Sequence, residues 1–339
     1  PTATPTDTPL PTSTPTPGPT DTPIPTATPT ETPNAPEVID LFPEPNSNDA
    51  LYSTYLEVFF DNLLDSGTLN NNTFVVHGSY HSPISGTFIP NVTDFKFYPS
   101  FDFKPGERVE TTITSGIEVG GLGVKPYVWQ FRTQAGPGPA TFQPETQAFV
   151  NELSRYASFG DLDGDGDLDA FIGSNSIDFV IFNDGFGNFT KSTQVFPDNW
   201  TVSIGMGDFD GDGDLDVFAA TSASSYHDIW LNDGSGFFIR SGQNIYNGNT
   251  TDVSVADLDG DGDLDVFDAA SVEQSRVWLN DGSAYFTASG QQIESAWTYG
   301  VDLGDLDGDG DLDAFLVNGT GGARAESIWF NNGSGIFTD

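Results

Sequence analysis

The sequence contains no cysteine, one methionine and only 10 basic residues among 339. Without cysteine, both disulfides and thiolate metal sites are excluded. No apolar run approaches the roughly 18 residues that a membrane-spanning helix needs, so no membrane span is predicted. This combination is typical of a secreted bacterial protein whose fold is stabilised by a bound metal ion rather than by disulfides.

The shortage of basic residues leaves a net charge of −40, with 50 acidic side chains. Such a chain does not favour nucleic acid, whose phosphates require Lys and Arg, or anionic membrane surfaces. An acidic, solvated surface is common in secreted proteins. We therefore predict an extracellular or cell-surface protein of bacterial origin.

Motifs of catalysis are missing as well. There is no Gly-x-Ser-x-Gly elbow, phosphate loop or His-Glu-x-x-His. His77 and His81 lie four residues apart, but Gly78 and Ser79 interrupt any common strand face, so we interpret them as turn residues; His227 is expected to be a solvated turn residue. A carboxylate pair for glycoside hydrolysis stays open, although the obvious carboxylates are better explained as metal ligands. We predict that the chain is not an enzyme.

What the sequence does contain is a nine-residue segment, the Asp loop, at 161–169, 208–216, 257–265 and 305–313. It reads DLDGDGDLD, with Phe at position 2 of the second copy. Five alternating Asp can fold together only around a cation. Oxygen ligands at positions 1, 3 and 5, Gly at 6, a carbonyl at 7 and a ligand at 9 match the opening of an EF-hand calcium loop. We predict about four Ca²⁺, one per loop, with these candidate metal residues: Asp161, Asp163, Asp165, Asp167, Asp169, Asp208, Asp210, Asp212, Asp214, Asp216, Asp257, Asp259, Asp261, Asp263, Asp265, Asp305, Asp307, Asp309, Asp311 and Asp313.

The residues after each loop exclude the helical EF-hand. That motif needs a bidentate Glu at position 12, where this chain has Ile172, Ala219, Asp268 and Leu316. The flanking residues instead alternate or run apolar over short lengths, as strands do. Each Asp loop is therefore predicted to be a calcium-filled hairpin turn.

Residues 1–36 are a Thr/Pro-rich segment with no apolar period to bury. We predict an extended, polyproline II-like stalk or linker. Its threonines are the better candidates for glycosylation, since O-glycosylation commonly accompanies such tracts.

Residues 37–133 are predicted to form an antiparallel β-sandwich, because short β-rich runs at 55–60, 74–77, 87–89, 95–98, 109–113 and 128–133 alternate with turn clusters. The order of its motifs, LEVFFD at 56–61, TLN at 68–70, TFVV at 73–76, FYP at 97–99, FKPG at 103–106 and WQFRT at 129–133, resembles the bacterial Ig-like domain of the SbsA type. The resemblance implies a spacer or adhesion domain of a cell-surface protein.

A Gly/Pro linker is predicted at 134–141, and an internal repeat at 142–339. The Asp loops start at 161, 208, 257 and 305, and each is followed by an Asn-centred turn, the Asn loop, at 182–185, 231–234, 279–282 and 330–333. Trp230, Trp278 and Trp329 precede the last three Asn loops, and we assign them to packing between repeats. A Phe stands 19 residues before each Asp loop, beginning with Phe142.

A period near 48 residues with strand-like runs predicts β-propeller blades. The D-x-D-G-D-G-x-x-D pattern, present in all four loops, resembles the FG-GAP and VCBS repeats. That resemblance implies that the first, third, fifth and ninth Asp of each loop bind calcium through side chains and the seventh through its carbonyl. Four blades are fewer than the six to eight that the resemblance implies. Either the chain continues, or four blades close a ring, or copies complete one another; four whole units between 142 and 337 favour the self-contained form.

Two functions fit these features. The favoured hypothesis is a non-enzymatic, calcium-stabilised structural or adhesion protein, in one version a repeating subunit of a surface filament that associates with itself or with a matrix partner. The alternative is the accessory carbohydrate-binding portion of a secreted polysaccharide-degrading enzyme, which would bind a glycan.

Overall fold

The structure is a computed structural model that describes residues 35–136, 153–196, 200–222, 226–246, 248–293, 297–319 and 325–339. The predicted stalk except for its last two residues, most of the 134–141 linker and Phe142 lie outside the described residues. The regular secondary structure of the described residues is β-strand, apart from one 3₁₀ turn at Ser66–Thr68. This confirms the all-β prediction.

The first part of the chain forms a sandwich of two antiparallel sheets. Its strands are β1 (Val38–Phe42), β2 (Leu56–Phe60), β3 (Phe74–Gly78), β4 (Gly86–Pro90), β5 (Asp94–Pro99), β6 (Arg108–Ile113), β7 (Glu118–Val119), β8 (Leu122–Gly123) and β9 (Tyr127–Arg132). One sheet has the order β1-β2-β5-β4 and the other the order β3-β6-β9, with β7 and β8 paired apart. All six predicted runs are strands; β1, β7 and β8 had not been predicted.

Alternating side chains explain why the two sheets face each other. In β2, Leu56, Val58 and Phe60 are buried while the residues between them are partly exposed, which is the period of a strand with one face on a core. They join an aromatic core in which the Phe74 ring meets the Phe95 ring edge-on, with centroids 4.9 Å apart.

The described residues from 153 onward form four consecutive antiparallel sheets, repeats 1 to 4, each with its strands in chain order. Repeat 1 has β10 (Ser154–Gly160), β11 (Asp169–Ser174), β12 (Phe179–Asn183) and β13 (Phe189–Lys191); repeat 2 has β14 (Thr201–Gly207), β15 (Asp216–Thr221), β16 (Tyr226–Asn232), β17 (Phe238–Arg240) and the extra β18 (Ile245–Tyr246); repeat 3 has β19 (Thr250–Ala256), β20 (Asp265–Ala270), β21 (Arg276–Asn280) and β22 (Phe286–Ala288); repeat 4 has β23 (Thr298–Gly304), β24 (Asp313–Asn318), β25 (Ser327–Asn331) and β26 (Phe337–Thr338).

Each Asp loop closes the hairpin between the first two strands of its repeat. The residues that flank the loop turn are paired across the strands in all four copies: Gly160 with Asp169, Gly207 with Asp216, Ala256 with Asp265, and Gly304 with Asp313. The hairpin predicted from the flanking residues is confirmed. The Asn loops join the third and fourth strands in the same way.

Consecutive repeats share their apolar cores. The Trp230 side chain of repeat 2 lies in one buried cluster with Phe171 and Val180 of repeat 1. Trp278 packs with Phe218 of repeat 2 in the next cluster. The tryptophans therefore pack between repeats, as the sequence predicted.

Two histidines differ from the sequence interpretation. His227 is fully buried in β16, where its Nδ1 accepts the backbone N–H of Thr221 at 3.1 Å, so the prediction of a solvated turn residue was wrong. His77 lies in β3 and is 8% exposed rather than standing in a turn. Each ring also has a polar partner distant in the chain, the carbonyl of Gly262 for His77 and the hydroxyl of Thr250 for His227, which local sequence does not indicate.

Candidate metal centres

Each Asp loop brings three carboxylates together. In every copy the side chains at positions 1, 3 and 9 offer oxygen atoms that lie within 4.8 Å of one another: Asp161, Asp163 and Asp169; Asp208, Asp210 and Asp216; Asp257, Asp259 and Asp265; Asp305, Asp307 and Asp313. These groups could hold a metal ion. The prediction that the carboxylate at position 5 and the carbonyl at position 7 complete the ligand set stays a prediction.

The backbone wraps each loop around its first Asp. In the second copy, Asp208 accepts the N–H groups of Gly211 at 2.8 Å and Gly213 at 3.0 Å. Both glycines have positive φ, 76° and 100°, a conformation that Gly adopts without steric cost. The Gly at positions 4 and 6 is therefore required by the turn that points the carboxylates inward.

The ninth Asp of each loop ties the loop to the third strand. Asp216 accepts the N–H of Phe209 through Oδ2 at 2.9 Å and the N–H of Asn232 through Oδ1 at 2.8 Å. The same two bonds recur in the other three repeats. All four of these carboxylates are fully buried, so position 9 links three segments of its sheet.

The seventh Asp explains the Gly of the Asn loop. A Cβ atom added to Gly282, whose φ is 73°, would come within 2.6 Å of an Asp263 carboxylate oxygen. The corresponding clash occurs with Asp167, Asp214 and Asp311. The two loops of each repeat therefore interlock, and only Gly fits at their contact.

Burial makes several of these carboxylates harder to ionise. Burial raises the pKa of Asp169 to about 6, of Asp208 to about 7 and of Asp216 to about 8. It also raises the pKa of Asp257 and Asp265 well above the ordinary range. A nearby cation reverses this effect, because it favours the charged form.

The donor set fits a hard divalent cation. It consists only of oxygen atoms, as Ca²⁺ prefers. Asp161 Oδ1 and Asp259 Oδ1 are buried and have no hydrogen-bond partner among the described residues. Buried carboxylate oxygens require a partner, and an ion at the centre of the loop would supply it.

Residues of the sandwich that local sequence does not mark also reach the Asp loops. His81 Nε2 lies 3.2 Å from Asp161 Oδ2, and Lys125 donates to Asp311 Oδ2 at 3.0 Å. These partners are separated by 80 or more residues along the chain, and no local pattern marks them.

Comparison with known families identifies both parts of the chain. The bacterial Ig-like domain matches residues 32–133, and the FG-GAP-like repeat matches residues 161–219, 208–268 and 257–316. The chain is therefore a protein with a bacterial Ig-like domain followed by FG-GAP-like repeats. No curated protein matches it.

Similarity to solved structures is low. An Agrocybe aegerita lectin that recognises non-reducing terminal N-acetylglucosamine is 18% identical, with a TM-score of 0.41, over 81% of this chain and 78% of that one. The N-terminal part of the bacterial S-layer protein SbsC is 12% identical, with a TM-score of 0.22, over 63% of this chain and 42% of that one. A rhamnogalacturonan lyase of Bacillus licheniformis is 14% identical, with a TM-score of 0.34, over 81% and 60%. None of the helices in the described part of the chain is long and apolar enough to cross a membrane.

Proposed function

We propose that this chain is a non-enzymatic, calcium-stabilised structural or adhesion protein of the bacterial surface or extracellular space. The observation that carries the proposal is the repetition of one carboxylate cluster, with its oxygens within 4.8 Å, at the same hairpin of four successive sheets. The ninth Asp of each cluster also binds two backbone N–H groups within its own sheet. Ligands that bridge strands in this way favour a structural ion over a catalytic one.

The proposed parts follow the division expected from sequence. Residues 1–36 are a stalk, 37–133 an Ig-like spacer, 134–141 a linker and 142–339 four blades of a β-propeller-type array. Packing of each sheet on the next through a shared apolar cluster supports the blade arrangement. Self-association of such subunits into a surface filament is the more specific version.

Calcium titration tests the metal sites. Isothermal titration of chelator-stripped protein should show about four Ca²⁺ per chain. We propose that each ion has side-chain ligands at positions 1, 3, 5 and 9 and a carbonyl ligand at position 7 of its loop. Dissociation constants of roughly 10⁻⁴ to 10⁻³ M, as in extracellular calcium modules, are expected. Absence of calcium binding would contradict the proposal.

Electron microscopy tests the assembly version separately. Purified full-length protein, viewed across a wide concentration range with calcium present, should form regular chains or sheets. Isolated particles at every concentration would remove the filament version and leave a calcium-stabilised surface protein.

A second candidate function is glycan binding, favoured by one cleft. This cleft of about 330 Å³ lies where the first strands of the repeats begin, and it is lined by Tyr156, Tyr299, Arg155, Asn249 and Ser222 among others. Tyrosine rings stack on the apolar faces of sugars, while the polar groups can bond hydroxyls. A glycan array should then give hits that Tyr156→Ala and Tyr299→Ala abolish; an array without hits would reject this candidate.

A further inference from the structure

One face of the Ig-like sandwich lies on the third Asp loop. Thr112 Oγ1 donates to Asp257 Oδ2 at 2.8 Å, and Glu110 Oε1 accepts the N–H of Asp257 at 2.9 Å. His77 Nε2 lies 3.1 Å from the carbonyl oxygen of Gly262. All of these strand side chains come from the β3-β6-β9 sheet and are buried. The first metal-site residue of loop 3 is therefore held from two parts of the chain.

Loop 3 is also more enclosed than loop 4. Asp257 is 1% exposed, whereas the corresponding Asp305 of loop 4 is half-buried and Asp307 is exposed. A Cβ added to Gly260 would come within 2.6 Å of Pro126, which shows how closely the sandwich approaches the loop. Burying carboxylates at such a contact costs free energy unless a cation compensates them.

The neighbouring loops 1 and 4 also contact the sandwich, through the pairs of His81 with Asp161 and of Lys125 with Asp311 described above and through bonds to their backbone carbonyls. Lys104 donates to the carbonyl of Gly166 in loop 1 at 2.8 Å, and the backbone N–H of Val128 donates to the carbonyl of Gly310 in loop 4 at 2.7 Å. By contrast, no hydrogen bond or ion pair between described residues joins loop 2 to the sandwich. Loop 2 therefore provides an internal control.

We propose that loop 3 is an interdomain metal site, in which bound calcium fixes the Ig-like sandwich to the repeats, with Thr112 and Glu110 as positioning residues. The inference rests on the calcium binding of the proposed function. Without an ion, the carboxylates of Asp257, Asp259 and Asp261 repel one another and the loop loses the shape that β6 contacts. Because coupling is reciprocal, docking of the sandwich also strengthens calcium binding in loop 3.

Distance measurement tests this coupling directly. The chain has no cysteine, so Val92→Cys and Val272→Cys, at positions 62% and 64% exposed, give one spin-label pair across the two parts. Pulsed electron resonance should show a narrow distance distribution with calcium, lost on adding EDTA. Asp259→Asn with Asp261→Asn should lose it even with calcium, whereas the matched loop 2 pair, Asp210→Asn with Asp212→Asn, should keep it.

The outcomes separate this inference from the proposed function. If calorimetry shows no calcium binding, both fail. If calcium binds but the distribution stays narrow in EDTA, or the loop 2 and loop 3 pairs behave alike, the interdomain site is rejected and calcium stabilisation stands.

Thr112→Val tests the positioning role without removing a proposed ligand. The midpoint of this test is the calcium concentration at which the distance distribution narrows. Loss of a hydrogen bond to a carboxylate should raise that midpoint about tenfold. Thr87→Val, at an exposed position of β4 in the other sheet, is the matched control and should leave that concentration unchanged. An unchanged midpoint in Thr112→Val would overturn the positioning role.

Discussion

The sandwich and the repeats are both antiparallel β-structures, but they bury different kinds of side chain. At the centre of the sandwich lie aromatic rings such as Phe74, Phe95 and Trp129, each at most 1% exposed. At the hairpins of the repeats lie carboxylates such as Asp216 and Asp265, each 0% exposed. Aromatic burial stabilises a sheet under any ionic condition, whereas clustered buried carboxylates are expected to make stability depend on a cation and on pH. The proposed function therefore predicts that the repeats depend on calcium more than the sandwich does.

The two parts also differ in how far they depend on neighbours. The sandwich closes its core between its own two sheets. Repeats 2, 3 and 4 are instead each hydrogen-bonded to the preceding repeat. Asn232 Nδ2 of repeat 2 donates to the carbonyl of Leu162 in repeat 1 at 2.9 Å, and Asn280 and Asn331 make the corresponding bonds in repeats 3 and 4. Stability of a repeat array is accordingly shared between neighbours.

Calcium removal should give the largest difference between the two parts. Each site contributes about 2.7 kcal/mol at a calcium concentration 100 times its dissociation constant, and the repeats carry all four candidate sites. EDTA should therefore lower the unfolding temperature of the repeats far more than that of the sandwich. Calorimetry with calcium and with EDTA measures this; two unchanged transitions would contradict it.

Phe74→Ala should destabilise the sandwich by about 3–5 kcal/mol, because it leaves a cavity among packed rings. The loss should be the same with calcium or EDTA, as the Phe74 ring packs against the aromatic rings of the sandwich core. Chemical denaturation followed by Trp fluorescence measures it. Ile89→Ala, at a position 53% exposed, is the control and should have little effect. If the loss of unfolding free energy in Phe74→Ala depended on calcium, the expected contrast between the two parts would be contradicted.

Asn280→Ala should cost about 0.5–1.5 kcal/mol, since it removes the side-chain hydrogen bond to the carbonyl of Phe209, which still accepts the backbone N–H of Ala284. The effect should spread into repeat 2 as well as repeat 3, as hydrogen exchange can show. Asn244→Ala, at an exposed position, is the control. Exchange confined to repeat 3 would mean that the repeats do not share stability through this bond.

The last expected effect is the dependence on pH. Burial raises the pKa of Asp216 to about 8 in the folded chain, so between about pH 4 and pH 8 the folded chain binds more protons than the unfolded one. Stability of the calcium-free protein should therefore fall as pH rises through this window. Calcium needs the deprotonated ligands, so the gap in unfolding temperature with and without calcium should widen from pH 5 to pH 8. A gap that narrows would show that these carboxylates do not bind the ion.

Sequence patterns predicted the parts of this fold that depend on local rules. Short β-rich runs between turn clusters located six sandwich strands, and the spacing of Asp and Gly located the four hairpin turns. Strand β1 was not predicted, because the segment VIDLF at 38–42 does not alternate between apolar and polar residues. In the structure only Leu41 of this strand is buried. The burial of His227 was not predicted, because the side chain contacts repeat 3, where Thr250 Oγ1 lies 3.1 Å from His227 Nε2.

Local sequence accounts for the four carboxylate turns, because the Asp side chains and the positive-φ glycines must lie within one short segment to form such a turn. The differences among the four turns arise from tertiary contacts. Thr112 and Glu110 meet Asp257 across about 145 residues, while no described contact of this kind reaches loop 2. Long-range contacts between two domains follow from the shapes of both folded surfaces, which no local period of residues encodes.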